Sequence, residues 1–150
     1  MMQTSDQGRE LIIEREGCRL TPYQDSVGVW TDGVGNTHGV RAHGPPITRK
    51  KADADLRLNL RVCEACINHE VKIPLEQFQF DALVSFVFNV GVRAFETSTL
   101  LRRLNAGDLA AAAAEFDRWH IPPEIAARRN GERAQFNGER FEARLSKEAA

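Results

Sequence analysis

A chain of 150 residues, 42% apolar and 27% charged, has room for one globular domain with a real core. Its formal net charge of −1 at pH 7 excludes a strongly basic nucleic-acid binder, so an anionic substrate would have to be held locally. Three cysteines (Cys18, Cys63, Cys66) without a signal pattern argue against a disulfide scaffold, and the longest apolar run, over 83–90, is too short to span a bilayer. These bounds predict a protein that stays in the cytoplasm where it is made and does not insert into a membrane.

The first helix is expected over 4–16. Ser5 is its N-cap, Asp6 suits its first turn, Leu11 and Ile12 lie on an apolar stripe that Glu16 ends, and Gly17 fits the position that stops it. Helical periodicity is then lost. Thr21-Pro22 breaks it, Tyr23 and Gln24 extend, and Asp25-Ser26-Val27-Gly28 reads as a turn. A strand over 29–36 carries Thr31, with Gly33 and Gly35 leaving backbone bare, and a third short strand is expected near 36–40. Gly33-Val34-Gly35 lacks the third glycine and following helix of a phosphate loop, so close approach of chain or substrate is the better reading.

This hairpin holds the chemistry. Glu16 and Asp25 stand nine positions apart and Thr31 six further on. A carboxyl at a helix C-terminus meets the negative end of the macrodipole, and partial burial adds to it; both favour the protonated form that a general acid needs. Asp25 lies in polar turn surroundings that suit an ionised carboxylate. Two acids in contrasting settings are the pattern of an acid/base pair for glycosidic chemistry.

The remainder is helical. Thr48 caps a long helix running to about Glu70, with Ala52, Leu56, Leu60, Cys63 and Ile67 on its buried face. Pro74 is expected to open the next helix, whose residues Phe78, Phe80, Leu83, Val84, Phe86, Val87 and Val90 make the core. Asn89 is either that helix's C-terminal cap or a group facing a cleft. Ser98 caps a short helix over 100–104, Asp108 caps an alanine-rich one over 109–119, Pro122-Pro123 starts another over 124–136, and a charged tail helix follows over 139–148. Cys63, Cys66 and His69 share a helix with no second ligand pair elsewhere, so buried apolar thiols are expected there, with no metal and no cofactor.

The segment Glu16-Gly17-x-Arg19-Leu20, Tyr23, Asp25, Gly28, Thr31-x-Gly33-x-Gly35 resembles the active-site stretch of the phage-type lysozymes, glycoside hydrolase family 24, of which the T-even phage lysozyme is best known. The family pattern of Glu, eight residues, Asp, five residues, Thr is met without a gap. The likeness continues through Gln79 to Ser85, Asn89-Val90-Gly91, Ser98-Thr99-Leu100-Leu101, Leu104 to Asp108, Phe116-x-x-Trp119, and Arg128-Arg129 with Glu132-Arg133, covering roughly residues 10–136.

The resemblance implies an α+β, mostly helical, lysozyme-like fold in a single domain over 1–150. A small lobe with a β-hairpin or three-stranded sheet (17–47) would be joined by the inter-lobe helix (48–70) to a helical lobe (74–150), with helix 4–16 packing near it. It implies a phage endolysin, a muramidase cleaving the β-1,4 bond between N-acetylmuramic acid and N-acetylglucosamine. Glu16 would be the general acid. Asp25 would activate water or stabilise the oxocarbenium-like state, and Thr31 would help place the water. Asn89 occupies the place of a cleft amide that contacts sugar, and Arg128 (or Arg129) that of an arginine pairing with the catalytic Glu. The partners implied are peptidoglycan glycan strands. The enzyme would be a monomer, held in the host cytoplasm until a holin lesion releases it to the periplasm and cell wall. The chain departs from many relatives in having Asn36 where they have histidine, in its His120-Ile121-Pro122-Pro123-Glu124 segment, and in showing no membrane signal-arrest segment. A lytic transglycosylase and a non-catalytic wall-binding module on the same fold are the alternatives.

Overall fold

The computed structural model describes residues 1–139, so the tail helix expected over 139–148 lies, beyond Glu139, outside the described residues. In chain order the elements are α1 (Asp6–Glu16), β1 (Arg19–Gln24), β2 (Trp30–Gly33), α2 (Arg49–Glu70), α3 (Gln77–Val90), α4 (Val92–Glu96), α5 (Thr99–Asn105), α6 (Leu109–Glu115), 3-10 turns at Phe116–Trp119 and Pro123–Ile125, and α7 (Ala126–Phe136). The mostly helical α+β class expected from the sequence is what forms. Among the described residues, no helix is long and apolar enough to cross a membrane.

The helix starts follow from local capping chemistry. Ser5 Oγ accepts from the Gly8 N–H (3.0 Å), Thr48 Oγ1 from Lys51 (3.1 Å), Ser98 Oγ from Leu101 (3.1 Å) and Asp108 Oδ1 from Ala111 (3.0 Å), each satisfying an N–H that has no intrahelical partner. At the other end of α1, Gly17 has φ +74° and its N–H bonds the Ile13 carbonyl at 2.7 Å, a conformation that suits glycine and stops the helix at Glu16.

Four expectations need correction. Pro74 does not open α3; Glu76 is its N-cap, with its N–H donating to Gln79 Oε1 at 2.9 Å, so the reciprocal cap outranks the proline. The third strand does not form. After β2 the chain turns sharply at Gly33 (φ +54°), and only an isolated bridge pairs Asp32 with Asn36, leaving a two-stranded sheet. The helix expected over 109–119 ends at Glu115 and tightens to a 3-10 turn, and the one expected from 124 begins as a 3-10 turn and becomes α-helical only at Ala126. Helix α4, five residues long, gave no periodic signal.

The chain divides into two compact units. One is Arg9–Arg61; the other comprises Met1–Gly8 and the chain from Val62 onward. In the first, β1 and β2 pair antiparallel with Tyr23 opposite Thr31 and an irregularity between Arg19 and Tyr23, where Pro22 has no N–H to give. Ala52 of α2 approaches Gly33 so closely that a Cβ there would lie 3.2 Å from the Ala52 methyl, so the bare glycine meets neighbouring chain. Leu11, Ile12, Val34, Ala52, Leu56 and Leu60 are its buried apolar residues.

The second unit is held by aromatic packing. Phe86 makes edge-on contacts with Phe116 (5.2 Å between centroids) and Trp119 (5.6 Å), and Phe116 packs on Phe136 (5.6 Å). Here too the first residues of the chain are strapped down by their backbone. Asn68 accepts from the Met2 N–H (3.0 Å) and donates to the Met2 carbonyl (2.9 Å), Glu64 accepts from Thr4 N–H (2.9 Å), Gln77 donates to the Gln3 carbonyl (2.8 Å), and Asp81 accepts from Ser5 N–H (3.0 Å) and Ser5 Oγ. The Asp81 carboxylate also presses on α1, where a Cβ built on Gly8 would fall 2.5 Å from Asp81 Cγ.

Alanine normally stabilises a helix relative to glycine, so Gly8→Ala separates propensity from packing. Asp81 is buried and held by Ser5 and Gln77, so it cannot swing clear. The substitution is expected to lower stability by about 1–3 kcal/mol, read by denaturant unfolding; a stability gain would contradict the packing account.

Candidate active site

Glu16, Asp25 and Thr31 all fall in the unit Arg9–Arg61. Glu16 is the last residue of α1 and is half-buried. Asp25 is half-buried at the hairpin turn, and Thr31 is buried in β2 at 4% exposure.

The backbone of one residue, Val29, ties Asp25 to Thr31. Its N–H donates to Asp25 Oδ1 at 2.8 Å, and its carbonyl accepts both the Asp25 N–H (2.9 Å) and the Thr31 hydroxyl (3.0 Å). Asp25 Oδ1 takes a second N–H from Val27 at 3.0 Å, closing an Asx turn. Both side-chain bonds land on the same carboxylate oxygen. The Thr31 hydroxyl proton is committed to Val29, so its oxygen faces any further partner as an acceptor. Sequence reasoning passed over Val29 because its contribution is carried by main-chain atoms, which no side-chain pattern encodes.

Beyond Thr31, Asn36 knits the turn after β2. Its Nδ2 donates to Asp32 Oδ1 (2.9 Å) and the His38 carbonyl (3.1 Å), and its Oδ1 accepts from Asn59 on α2 (3.0 Å).

Asn89 and Arg128 belong to the other unit. Arg128 is buried, with Nε on Glu132 Oε2 at 3.3 Å and a terminal nitrogen on the Ser85 carbonyl at 2.9 Å. Arg129 is the more enclosed, at 1% exposure. It donates to the Trp119 carbonyl (2.9 Å), to Glu132 Oε1 and to Asn89 Oδ1, with its guanidinium 5.0 Å from the Phe86 ring centroid. Glu132 is fully buried and also accepts from Ser85 Oγ at 2.6 Å. Asn89 therefore lies within α3, tied to Arg129. The Arg129–Glu132 pair was not singled out for any role. Its sequence signal was the three-residue spacing of opposite charges on one helix.

Among the described residues, no group of three or more His, Cys, Asp or Glu is placed to hold a metal ion. Cys63 and Cys66 are buried on α2, and burial pushes their thiols up to about 12 and about 11. At neutral pH both remain protonated, which disfavours metal ligation and nucleophilic use.

The Phage lysozyme family model matches residues 13–132. The chain belongs to the phage lysozyme family. An endolysin of Acyrthosiphon pisum secondary endosymbiont phage 1 is 44% identical over 90% of this chain and 98% of that protein. The endolysin of Salmonella phage P22 is 42% identical over 91% of this chain and 99% of its own length. Among solved structures, the muramidase domain of SpmX from Asticaccaulis excentricus matches with a TM-score of 0.84 at 39% identity, covering 91% of this chain and 98% of that one. The fold is lysozyme-like.

Thiol labelling checks the cysteine account. In the folded protein at pH 8, Cys18, the half-buried thiol, is expected to react with a maleimide first, while Cys63 and Cys66 label only on unfolding. Rapid labelling of Cys63 or Cys66 in the native state would contradict it. The turn yields a second expectation. Asp25→Asn keeps an oxygen for the Val27 and Val29 N–H groups and should leave stability within about 0.5 kcal/mol, whereas Asp25→Ala should lose about 1 kcal/mol. Equal unfolding midpoints for the two variants would remove the structural half of Asp25's account.

Proposed function

We propose that the chemistry of this phage endolysin, a lysozyme-type glycoside hydrolase acting on bacterial peptidoglycan, is carried by Glu16, Asp25 and Thr31. The observation that supports the assignment is the Val29 linkage, which holds an acid and a hydroxyl of fixed polarity on one hairpin. Glu16 gives its proton to the glycosidic oxygen between N-acetylmuramic acid and N-acetylglucosamine. As that bond breaks, positive charge develops on the sugar ring, and Asp25 acts on the opposite face. A water there donates one hydrogen to Thr31 Oγ1 and the other to Asp25, which turns its lone pair toward the anomeric carbon. Proton transfer to Asp25 accompanies attack, so the mechanism is inverting and the β-linked strand yields an α reducing end.

The finer placement in glycoside hydrolase family 24, beside the T-even phage lysozyme, rests on the gapless Glu, Asp, Thr spacing. In the helical unit, Arg128 is assigned a supporting role and Asn89 a substrate contact. The enzyme works as a single lysozyme-like domain and a monomer, and it waits in the host cytoplasm until a holin opens the way to the wall. The endolysin relatives support a lysis protein that acts on the cell wall.

Glu16→Gln is expected to fold as wild type and to lose about 10²–10⁴-fold in clearing of a peptidoglycan suspension. Retained clearing would sink the assignment. Products analysed by mass spectrometry should carry reducing ends, and NMR of the first products should show the α anomer. Anhydro-muramic ends would instead indicate a lytic transglycosylase, and an initial β anomer would refute the placement of water by Thr31.

A further inference from the structure

One end of α3 borders a cavity of about 290 Å³ with five apolar residues in its lining: Val90, Trp119, Ile121, Pro122 and Ile125. Two polar side chains complete it, Asn89 and Arg129. They differ in freedom. Arg129 is buried and spends its guanidinium on the Trp119 carbonyl, Glu132 and Asn89, while Asn89 is exposed.

An arginine only donates hydrogen bonds, so the Asn89 atom against it must be the amide oxygen. That removes the ambiguity of an exposed asparagine, whose two ends otherwise exchange freely. With Oδ1 taken by a guanidinium that Glu132 and Trp119 hold in place, the Nδ2 group is the end presented to a ligand. We infer that Arg129 is a positioning residue that fixes Asn89 as a hydrogen-bond donor, and that the adjoining cavity takes a methyl-bearing carbonyl of the substrate. The inference rests on the peptidoglycan hydrolase reading above and names the chemistry of one of its contacts.

The ligand follows from the pairing of functions. A small pocket of mixed surface, with aliphatic side chains beside one amide donor, suits a carbonyl oxygen attached to a methyl-bearing carbon. The glycan strand of peptidoglycan has two such groups: the acetamido group of its sugars, and the lactyl carbonyl through which muramic acid carries its peptide. Each offers an acceptor to Asn89 Nδ2 and a methyl to the pocket. A ligand whose group there only donates hydrogen bonds is disfavoured, because it meets another donor.

Asn89→Asp is the decisive variant. Its carboxylate still accepts from Arg129, so the core network is retained and the melting temperature should not fall. The donor is gone, however, and a negative oxygen faces the substrate carbonyl. KM on soluble peptidoglycan fragments is expected to rise about tenfold, with kcat within about twofold. Arg129→Lys, which no longer holds the amide in one orientation, should raise KM in the same sense where it folds. If it does not fold, Asn89→Asp decides alone. Two probes titrated into Glu16→Gln protein, with and without Asn89→Asp, locate the carbonyl. Weaker binding of both an N-acetylglucosamine trimer and muramyl dipeptide supports the acetamido group. Weaker binding of muramyl dipeptide alone supports the lactyl carbonyl.

Unchanged KM and unchanged binding of both probes in Asn89→Asp would overturn the inference. The hydrolase reading is tested separately, since it falls only if the wild-type protein fails to clear peptidoglycan or Glu16→Gln still clears it.

Discussion

The helical unit depends on one buried acid. Glu132 is inaccessible to water, and a charge in that position is tolerated only when its lone pairs are filled. They are filled by Arg128, Arg129 and Ser85, which bring α7 onto α3. Removing one partner from such a pair commonly costs about 3–5 kcal/mol, because the other charge is left buried and alone. The two arginines therefore have different uses of the same anchor. Arg128 reaches the α3 backbone at Ser85, and Arg129 reaches out through Asn89 toward the cavity. A hydrophobic replacement of the cluster would fill the space but would leave Asn89 without a fixed orientation.

The hairpin solves a related problem with different means. It has few residues and little core, so side-chain packing alone could not hold Asp25 and Thr31 in register. Peptide groups do it instead: Val29 is bonded on both its N–H and its carbonyl, and the Asp32–Asn36 pair closes the far end. Main-chain groups have no rotamers to lose, so each bond fixes a functional side chain at small entropic cost. One unit thus positions its polar groups by buried charge and the other by backbone.

What could be read from the residues alone sorts by range. Helix ends set by a side chain three residues from its partner were legible, as Ser5, Thr48, Ser98 and Asp108 show. So was the end of α1 at Glu16, since glycine at 17 admits a conformation that other residues resist. The third strand was misread because residues 36–40 pair back only through the Asp32–Asn36 bridge, and turn geometry at Gly33 took precedence. The start of α3 was misread because proline is a familiar opener, while Glu76 and Gln79 make the stronger cap two residues on. Within the Glu132 cluster, the spacing to Arg128 and Arg129 was on the page, but the tie to Ser85 could not be read, since it lies 47 residues away in the chain. Of the proposed site, the choice of Glu16, Asp25 and Thr31 came from spacing and resemblance, whereas the polarity of the Thr31 hydroxyl and of the Asn89 amide needed coordinates.

The strap at the start of the chain carries a consequence for variation. Asn68, Glu64, Gln77 and Asp81 grip residues 2–5 mainly through peptide N–H and carbonyl groups. Such a grip is indifferent to what the exposed side chain of Gln3 is and sensitive to where the peptide groups fall, whereas Thr4 is buried. Position 3 can therefore change its side chain while keeping the fit, and Ser5 cannot, because its hydroxyl binds Asp81 and caps α1. A single inserted or deleted residue, by contrast, slides every donor past its acceptor. The segment is held by a molecular ruler, whose marks are peptide groups and whose count is fixed.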